Sequence, residues 1–523
     1  SEAIIVPGDW NSQKEKLYYY EGTIWYKRSF DYEKTRDDNR VFVHFGAINY
    51  KADVYLNGQK LGVHKGGFTP FNFEITDIVR PKDNFLIVKV DNTRKKDEVP
   101  TVNTDWWNFG GLTRDVSLIE VSSTFVSDYF IQLEKGSKRD IKGYIQLDGE
   151  DKANRKVIVD IPGLRLKKSL TTDVEGSAEL ELNSREIKFW SPDNPMLYDI
   201  NIQLDTEVLS DRIGFRTLAT RNSDILLNGE SIFLRGICIH EENPIRGGRA
   251  YSMEDSRLLL GWAKELGCNY VRLAHYPHNE NMLRLADEMG IMVWEENPVY
   301  WTISWENKQT YSTAQQQLSE VISRDKNRAS VIIWSMANET PVSDARMEFL
   351  KNLRNFALSK DDTRLISAAL EMQGSGEGGL TRKITDPFAE FVDILSFNAY
   401  IGWYDGLPDK CDKIQWAIDQ NKPVIVSEFG AGALQGLHGA QNEIWTEEYQ
   451  ENIYAESIEM FQRLPQLRGT SPWILSDFHS PRRVLPGIQD GWNRKGLIGE
   501  TGDKKKAFYV MQKFYQDVKA TWE

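Results

Sequence analysis

The chain has 523 residues, of which 40% are hydrophobic and 27% charged, and carries a formal net charge of −13. This is the profile of a soluble globular protein of two to four domains, and the acidic balance excludes bulk binding to nucleic acid or to an anionic membrane surface. Three scattered cysteines (Cys238, Cys268, Cys411) supply neither a disulfide framework nor a zinc spacing, and no apolar run reaches the roughly 18 residues of a membrane span.

Taken in chain order, residues 1–121 read as short strands and turns. Val41–Phe45, Ala52–Leu56 and Phe85–Val90 are β-rich runs, and Asn57-Gly58 is a hairpin signal directly after one of them. An all-β sandwich is expected here. Residues 122–219 continue in the same style. Tyr144–Leu147, Lys156–Asp160 and Tyr198–Leu204 alternate at period two, and about 100 residues of such strands predict an immunoglobulin-like β-sandwich.

The texture changes near residue 220. Short apolar runs (Ile232–Ile239, Asn269–Ala274, Ile291–Glu295, Val331–Met336, Leu365–Ala369, Ile394–Asn398, Val424–Ser427, Ser471–Leu475) alternate with amphipathic stretches such as Glu254–Leu266, Glu280–Met289, Thr313–Lys326, Asp344–Ser359 and Glu447–Arg463. Eight strands with intervening helices predict a (β/α)8 TIM barrel over residues 220–523. Gly374–Gly379 is expected as a flexible loop after the fifth strand. Aromatic residues reach 11%, which suits either large β-rich cores or stacking on sugar rings.

In this barrel class chemistry sits at the C-terminal ends of strands. The fourth predicted strand ends Ala337-Asn338-Glu339 and the seventh ends Ser427-Glu428-Phe429-Gly430. Two strand-end carboxylates in one barrel are what glycosidic cleavage requires: an acid for the leaving oxygen and a carboxylate that attacks the anomeric carbon. Other strand ends carry His240, His275, Tyr400 and, on the eighth strand, Trp473. His240, His275 and the Glu295-Glu296 pair are also candidate metal ligands, but no HxH or HExxH spacing supports a metal. No metal and no cofactor is expected.

At these motifs the sequence resembles glycoside hydrolase family 2, over the whole chain in order: a jelly-roll sugar-binding domain, an immunoglobulin-like sandwich and a barrel. The resemblance rests on Val6–Asn11, Asn194–Tyr198, Arg235–Glu241, Arg272–Pro277, Ala337–Glu339 and Ser427–Gly430. It implies that Glu339 is the acid/base and Glu428 the nucleophile of a retaining exo-β-glycosidase. It also implies that Asp105, in the first domain, reaches the barrel mouth and binds sugar hydroxyls, beside His240, His275, Asn338, Tyr400 and Trp473 as substrate-binding residues.

Within the family the sequence is most similar to β-glucuronidases. Glu428–His438 resembles their nucleophile segment, Asn398–Tyr404 their sixth-strand motif, and Asn493-Arg494-Lys495-Gly496 the Asn-x-Lys pair with which they read the sugar carboxylate. An ammonium and an amide suit that task, as a charge-assisted donor and a second donor. Two positions depart from the pattern. Ala399 and Gln489 stand where basic residues are usual, and Arg482-Arg483 offer replacement charges from the preceding loop.

The expected activity is hydrolysis of terminal β-D-glucuronides. A β-galactosidase or β-galacturonidase on the same machinery, and a non-catalytic carbohydrate-binding protein, stay open as alternatives. The expected partner is a carbohydrate, with no nucleic acid and no membrane span; a homo-oligomer is allowed. Periplasmic, secreted and cytoplasmic locations all remain open, because a removed signal would leave the same start at Ser1.

Overall fold

The computed structural model describes residues 3–522. Period-two alternation in the N-terminal region buries one face of each strand, and two antiparallel sheets close on the result. One has the order Thr23–Phe30, Asn84–Asp91, Lys51–Leu56, Gln59–Lys65, with Trp25 opposite Lys89. The other is Phe71–Glu74, Arg40–Phe45, Val116–Val121. Val41, Val43 and Phe45 of the second meet Val54, Val88 and Val90 of the first in a common core.

The next region forms a second sandwich. Its sheets are Leu166–Thr171, Lys156–Ile161, Tyr198–Leu204, Glu207–Ile213 and Ser177–Asn183, Asp140–Asp148, Phe125–Leu133. Four strands facing three, around Ile145, Val157, Val159, Ile200 and Ile202, is the immunoglobulin-like arrangement.

The barrel strands, in order, are the split strand Leu234–Arg235 and Cys238–Ile239, then Tyr270–Leu273, Met292–Glu296, Val331–Asn338, Leu365–Leu370, Leu395–Asn398, Val424–Glu428 and Leu467–Thr470. All neighbours pair in parallel. The two pieces of the first strand pair with the eighth and second strands respectively, so the sheet closes on itself. The break falls at Gly236, where a Cβ would lie 2.2 Å from the Tyr270 ring.

The eighth strand corrects the sequence expectation. The regular strand is Leu467–Thr470; the apolar run Ser471–Leu475 directly follows it and still bonds to the seventh strand, from the Ser471 and Trp473 amides to the Val426 and Phe429 carbonyls, and to the first at Cys238. Gly374–Gly379 is likewise more ordered than a free loop, since Met372–Ser375 and Thr381–Ile384 flank it as a hairpin. Six long helices cover the barrel: Met253–Leu266, Glu280–Met289, Lys308–Asp325, Asp344–Lys360, Glu447–Gln462 and Lys506–Trp522. None of the described helices is long and apolar enough to cross a membrane.

A small sheet (Leu218–Arg221, Asp224–Leu227, Glu230–Ile232) plugs the N-terminal end of the barrel. Its Ile225 and Leu227 pack on Tyr270, Trp294 and Ile333. The first sandwich docks on the opposite, C-terminal side. Arg114, 4% exposed, donates to Glu241 at 3.0 Å and to the Pro277 carbonyl at 2.7 Å, and Gln317 donates to the Val99 carbonyl at 2.8 Å. These contacts hold the loop from Thr101 to Gly111 over the mouth.

Candidate active site

Catalytic-type side chains gather where strand directions end. At the centre is Arg272, fully buried on the second strand. Its guanidinium donates to Glu428 Oε1 at 2.7 Å, to Glu296 Oε2 at 3.0 Å and to Asn338 Oδ1 at 2.8 Å. Burial works against its charge, but Glu296 and Glu428 more than offset this and hold the guanidinium firmly protonated. One cation thus fixes three strand ends at once.

Glu428 receives a second donor, the Tyr400 hydroxyl, at 2.6 Å on Oε2. His275 Nδ1 lies 2.7 Å from Glu296 Oε1, and its Nε2 lies 3.6 Å from Glu428 Oε1. The imidazole stacks on Trp473, with centroids 4.7 Å apart. The Glu428 carboxylate is therefore aimed by donors on both oxygens.

Glu339 follows the fourth strand in a left-handed backbone conformation, φ 48°, and such unusual backbone concentrates at functional sites. Its Oε2 accepts the indole N–H of Trp301 at 2.8 Å. Burial, and then the charge of Glu428, raise its pKa to about 7. A carboxyl group tuned this way is still substantially protonated near neutrality and can act as a general acid.

A third cluster closes one end of the mouth. Lys495, 4% exposed, places its ammonium 2.6 Å from the Tyr404 hydroxyl and over the rings of Tyr400, Trp403 and Tyr404. No carboxylate among the described residues pairs with it. Burial pushes its pKa down and the neighbouring Arg483 adds to this. Arg483 forms an ion pair with Asp105, which also accepts from Ser480 at 2.6 Å and from Asn493 Nδ2 at 3.3 Å. Burial alone would raise the Tyr404 phenol, but the charges of Lys495 and Arg483 bring it below its ordinary value. The loop carrying Asn493 and Lys495 turns at Gly496, where a Cβ would lie 2.1 Å from the Asp477 backbone nitrogen. Only glycine allows that approach.

The structure therefore brings Glu339, Glu428, Asn338, Tyr400, His275 and Trp473 around one point, with Asp105, Asn493 and Lys495 at the adjoining end. Trp473 lies beyond the eighth strand rather than on it. His240 stands beside His275, with ring centroids 5.9 Å apart. Its Nδ1 lies 3.0 Å from the Tyr276 hydroxyl, its ring stands edge-on to Trp473, and burial holds it neutral. Of the candidate metal ligands, Glu295 faces away from the mouth and pairs with Arg324 at 3.1 Å. Among the described residues no group of three or more His, Cys, Asp or Glu is placed to hold a metal.

Sequence reasoning gave no role to Arg272, Trp301 or Tyr404, and offered Glu296 only as a candidate metal ligand, whereas it holds Arg272 and His275. Arg272 and Tyr404 lay inside motifs already singled out, and their polar groups beside apolar strand ends were the available signal. Trp301 carried none, because it sits in a loop and reaches Glu339 only through the fold. Of the replacement charges, Arg483 is engaged by Asp105, and Arg482 stands apart, over the Trp301 ring at 5.2 Å.

Comparison with known proteins agrees with this architecture. The TIM barrel domain model of glycosyl hydrolases family 2 matches residues 218–520, the family's sugar binding domain matches residues 1–122, and a third model of the family matches residues 124–216. A β-glucuronidase of Paenibacillus borealis is 28% identical over 560 residues, covering 97% of this chain and 90% of its own length. A β-galacturonidase from Eisenbergiella tayi bound to galacturonate is similar in structure, with a TM-score of 0.87 at 28% identity over 99% of this chain and 94% of that one. A β-glucuronidase from Bifidobacterium dentium complexed with coumarin-3-O-glucuronide has a TM-score of 0.87 at 25% identity, covering 98% of this chain and 92% of that one.

Proposed function

The chain belongs to glycoside hydrolase family 2, and from that premise we propose that it is a retaining exo-β-glycosidase that removes terminal non-reducing β-D-glucuronides. Its substrate is a carbohydrate. The observation that carries the uronide is Lys495, a buried ammonium with no carboxylate partner among the described residues, set in aromatic rings beside the tyrosine that holds Glu428. A buried charge is costly unless paired, and the C6 carboxylate of a uronic acid would pair it. The cluster holds two cations, Lys495 and Arg483, and one carboxylate, Asp105. One more negative charge balances it.

In this reading Glu339 protonates the glycosidic oxygen while Glu428 attacks the anomeric carbon from the opposite face. Arg272 and Tyr400 hold Glu428 in line. Formation of the glycosyl ester cancels the Glu428 charge, the second cause of the raised Glu339 pKa. Glu339, which has given its proton to the departing oxygen in the same step, is then favoured as the carboxylate and serves as base for the incoming water. Asp105, bonded to both Asn493 and Arg483, forms a linked wall beside Lys495, which supports exo action.

The test is a panel of nitrophenyl β-glucuronide, β-galacturonide, β-galactoside and β-mannoside. Preference for the glucuronide is expected. The galacturonide presents the same carboxylate on a sugar epimeric at C4, so preference for it would keep the charge argument and replace the sugar. Preference for the galactoside would remove the uronidase reading, and no turnover of any of the four would remove catalysis.

A further inference from the structure

The leaving side of the pocket has a feature that the uronide reading does not use. Glu339 must lie within hydrogen-bonding reach of the glycosidic oxygen it protonates, so the first residue of the leaving group begins at its carboxyl. Trp301 donates to that carboxyl at 2.8 Å. Above the Trp301 ring, 5.2 Å from its centroid, is the guanidinium carbon of Arg482. The Arg482 side chain is exposed, and its Nη2 donates to the Asn103 side-chain oxygen. Its Nε and Nη1 groups have no acceptor among the described residues, and no carboxylate pairs with it.

An exposed arginine without a carboxylate partner is ordinary by itself. This one is stacked on an indole and tied to an amide, both of which reduce the rotamer freedom a ligand would otherwise have to remove. It also shares the Trp301 indole with the acid/base. On a chain of net charge −13, an uncompensated cation at that place is a local attraction against a repelling background.

We propose that Arg482, seated on Trp301 and Asn103, is the specificity-determining cation of the leaving-group subsite, and that the natural leaving residue carries an anionic oxygen group, a sulfate ester or a carboxylate. The proposal rests on the glycosidase reading for the place of the leaving group, and not on the identity of the sugar cleaved. Arg482 acts by binding and takes no part in proton transfer.

The experiment uses aryl glycosides of whichever sugar the wild-type enzyme hydrolyses best in the nitrophenyl panel. Their leaving phenols are matched in acidity and carry a meta sulfonate, a meta carboxylate or a neutral meta carboxamide. The wild type is expected to show kcat/KM about fivefold or more higher for at least one anionic phenol than for the carboxamide, an advantage that shrinks at high salt. Arg482→Ala should erase that ratio and Arg482→Lys should keep part of it. The sulfonate and carboxylate arms distinguish the two anions. A wild type indifferent to charge on the phenol, or an Arg482→Ala loss equal on all three substrates, would overturn the proposal. Failure of the glucuronide reading would show separately, in the choice of sugar.

Discussion

The indole nitrogen of Trp301 lies 2.8 Å from Glu339 Oε2 and is the hydrogen bond that most opposes the upward shift of the Glu339 pKa. The bond favours the ionised form, because an N–H donor stabilises a carboxylate more than a carboxyl. Trp301→Phe should therefore raise the Glu339 pKa above about 7. General-acid activity is lost as pH rises through that pKa, so the basic limb of the kcat/KM profile should move up by about half a unit to one unit. A limb that stays in place or moves down would show that the indole does not tune the acid.

The division of labour between the two glutamates is readable from azide products. Glu339→Gln should keep more activity on nitrophenyl substrates than on glycosides with poor leaving groups, since nitrophenolate departs with little help, and azide should trap it as a β-glycosyl azide. Azide rescue of Glu428→Gly should give the α-azide, formed by a single inversion. Product NMR decides, and exchanged anomers would exchange the roles.

Lys495→Ala removes the buried ammonium from its aromatic cage. A charged hydrogen bond is worth about 1.5–3 kcal/mol, so kcat/KM on the glucuronide should fall roughly 10- to 100-fold. Activity on a neutral galactoside should change little. Equal losses on both substrates would reduce Lys495 to a brace for its loop.

The raised pKa of Glu339 also has a stability signature. The native state holds this proton more tightly than the unfolded chain, whose carboxyl titrates near 4.5. Below that pH both states are protonated and no penalty exists; between 4.5 and about 7 the penalty grows, and above about 7 it is complete. Glu339→Gln should accordingly raise Tm at pH 8 by about 1–3 °C, with the difference closing towards pH 4.5. A variant less stable than wild type at pH 8 would contradict the sign.

Much of this was legible in the chain because burial leaves a strong imprint on barrel strands. Val331–Ile333 and Val424–Val426 are buried throughout, so their apolar runs located the strands and the glutamates at their ends. The eighth strand misled for the same reason. Its regular segment contains Arg468 and Gly469, while the more apolar Ser471–Leu475 continues from it, bonded to the strands on either side but without regular strand geometry. The partners of the site were harder still. Arg483 and Asp105 are 378 residues apart, and no local pattern couples positions at that separation. Arg272 could be placed on its strand, but that it joins Glu296, Asn338 and Glu428 is a property of barrel closure alone.

The hydrogen bond from Asn493 to Asp105 spans 388 residues, which gives the pocket a schedule. The sandwich bearing Asp105 emerges early during synthesis and, at about 5–20 residues per second, waits on the order of 20–80 s for the loop that completes its contacts. Throughout that interval the Asp105 carboxylate has none of its three partners. The closed end of the pocket is thus among the last features to form on the nascent chain, and it requires the first domain and the end of the barrel to be in place together.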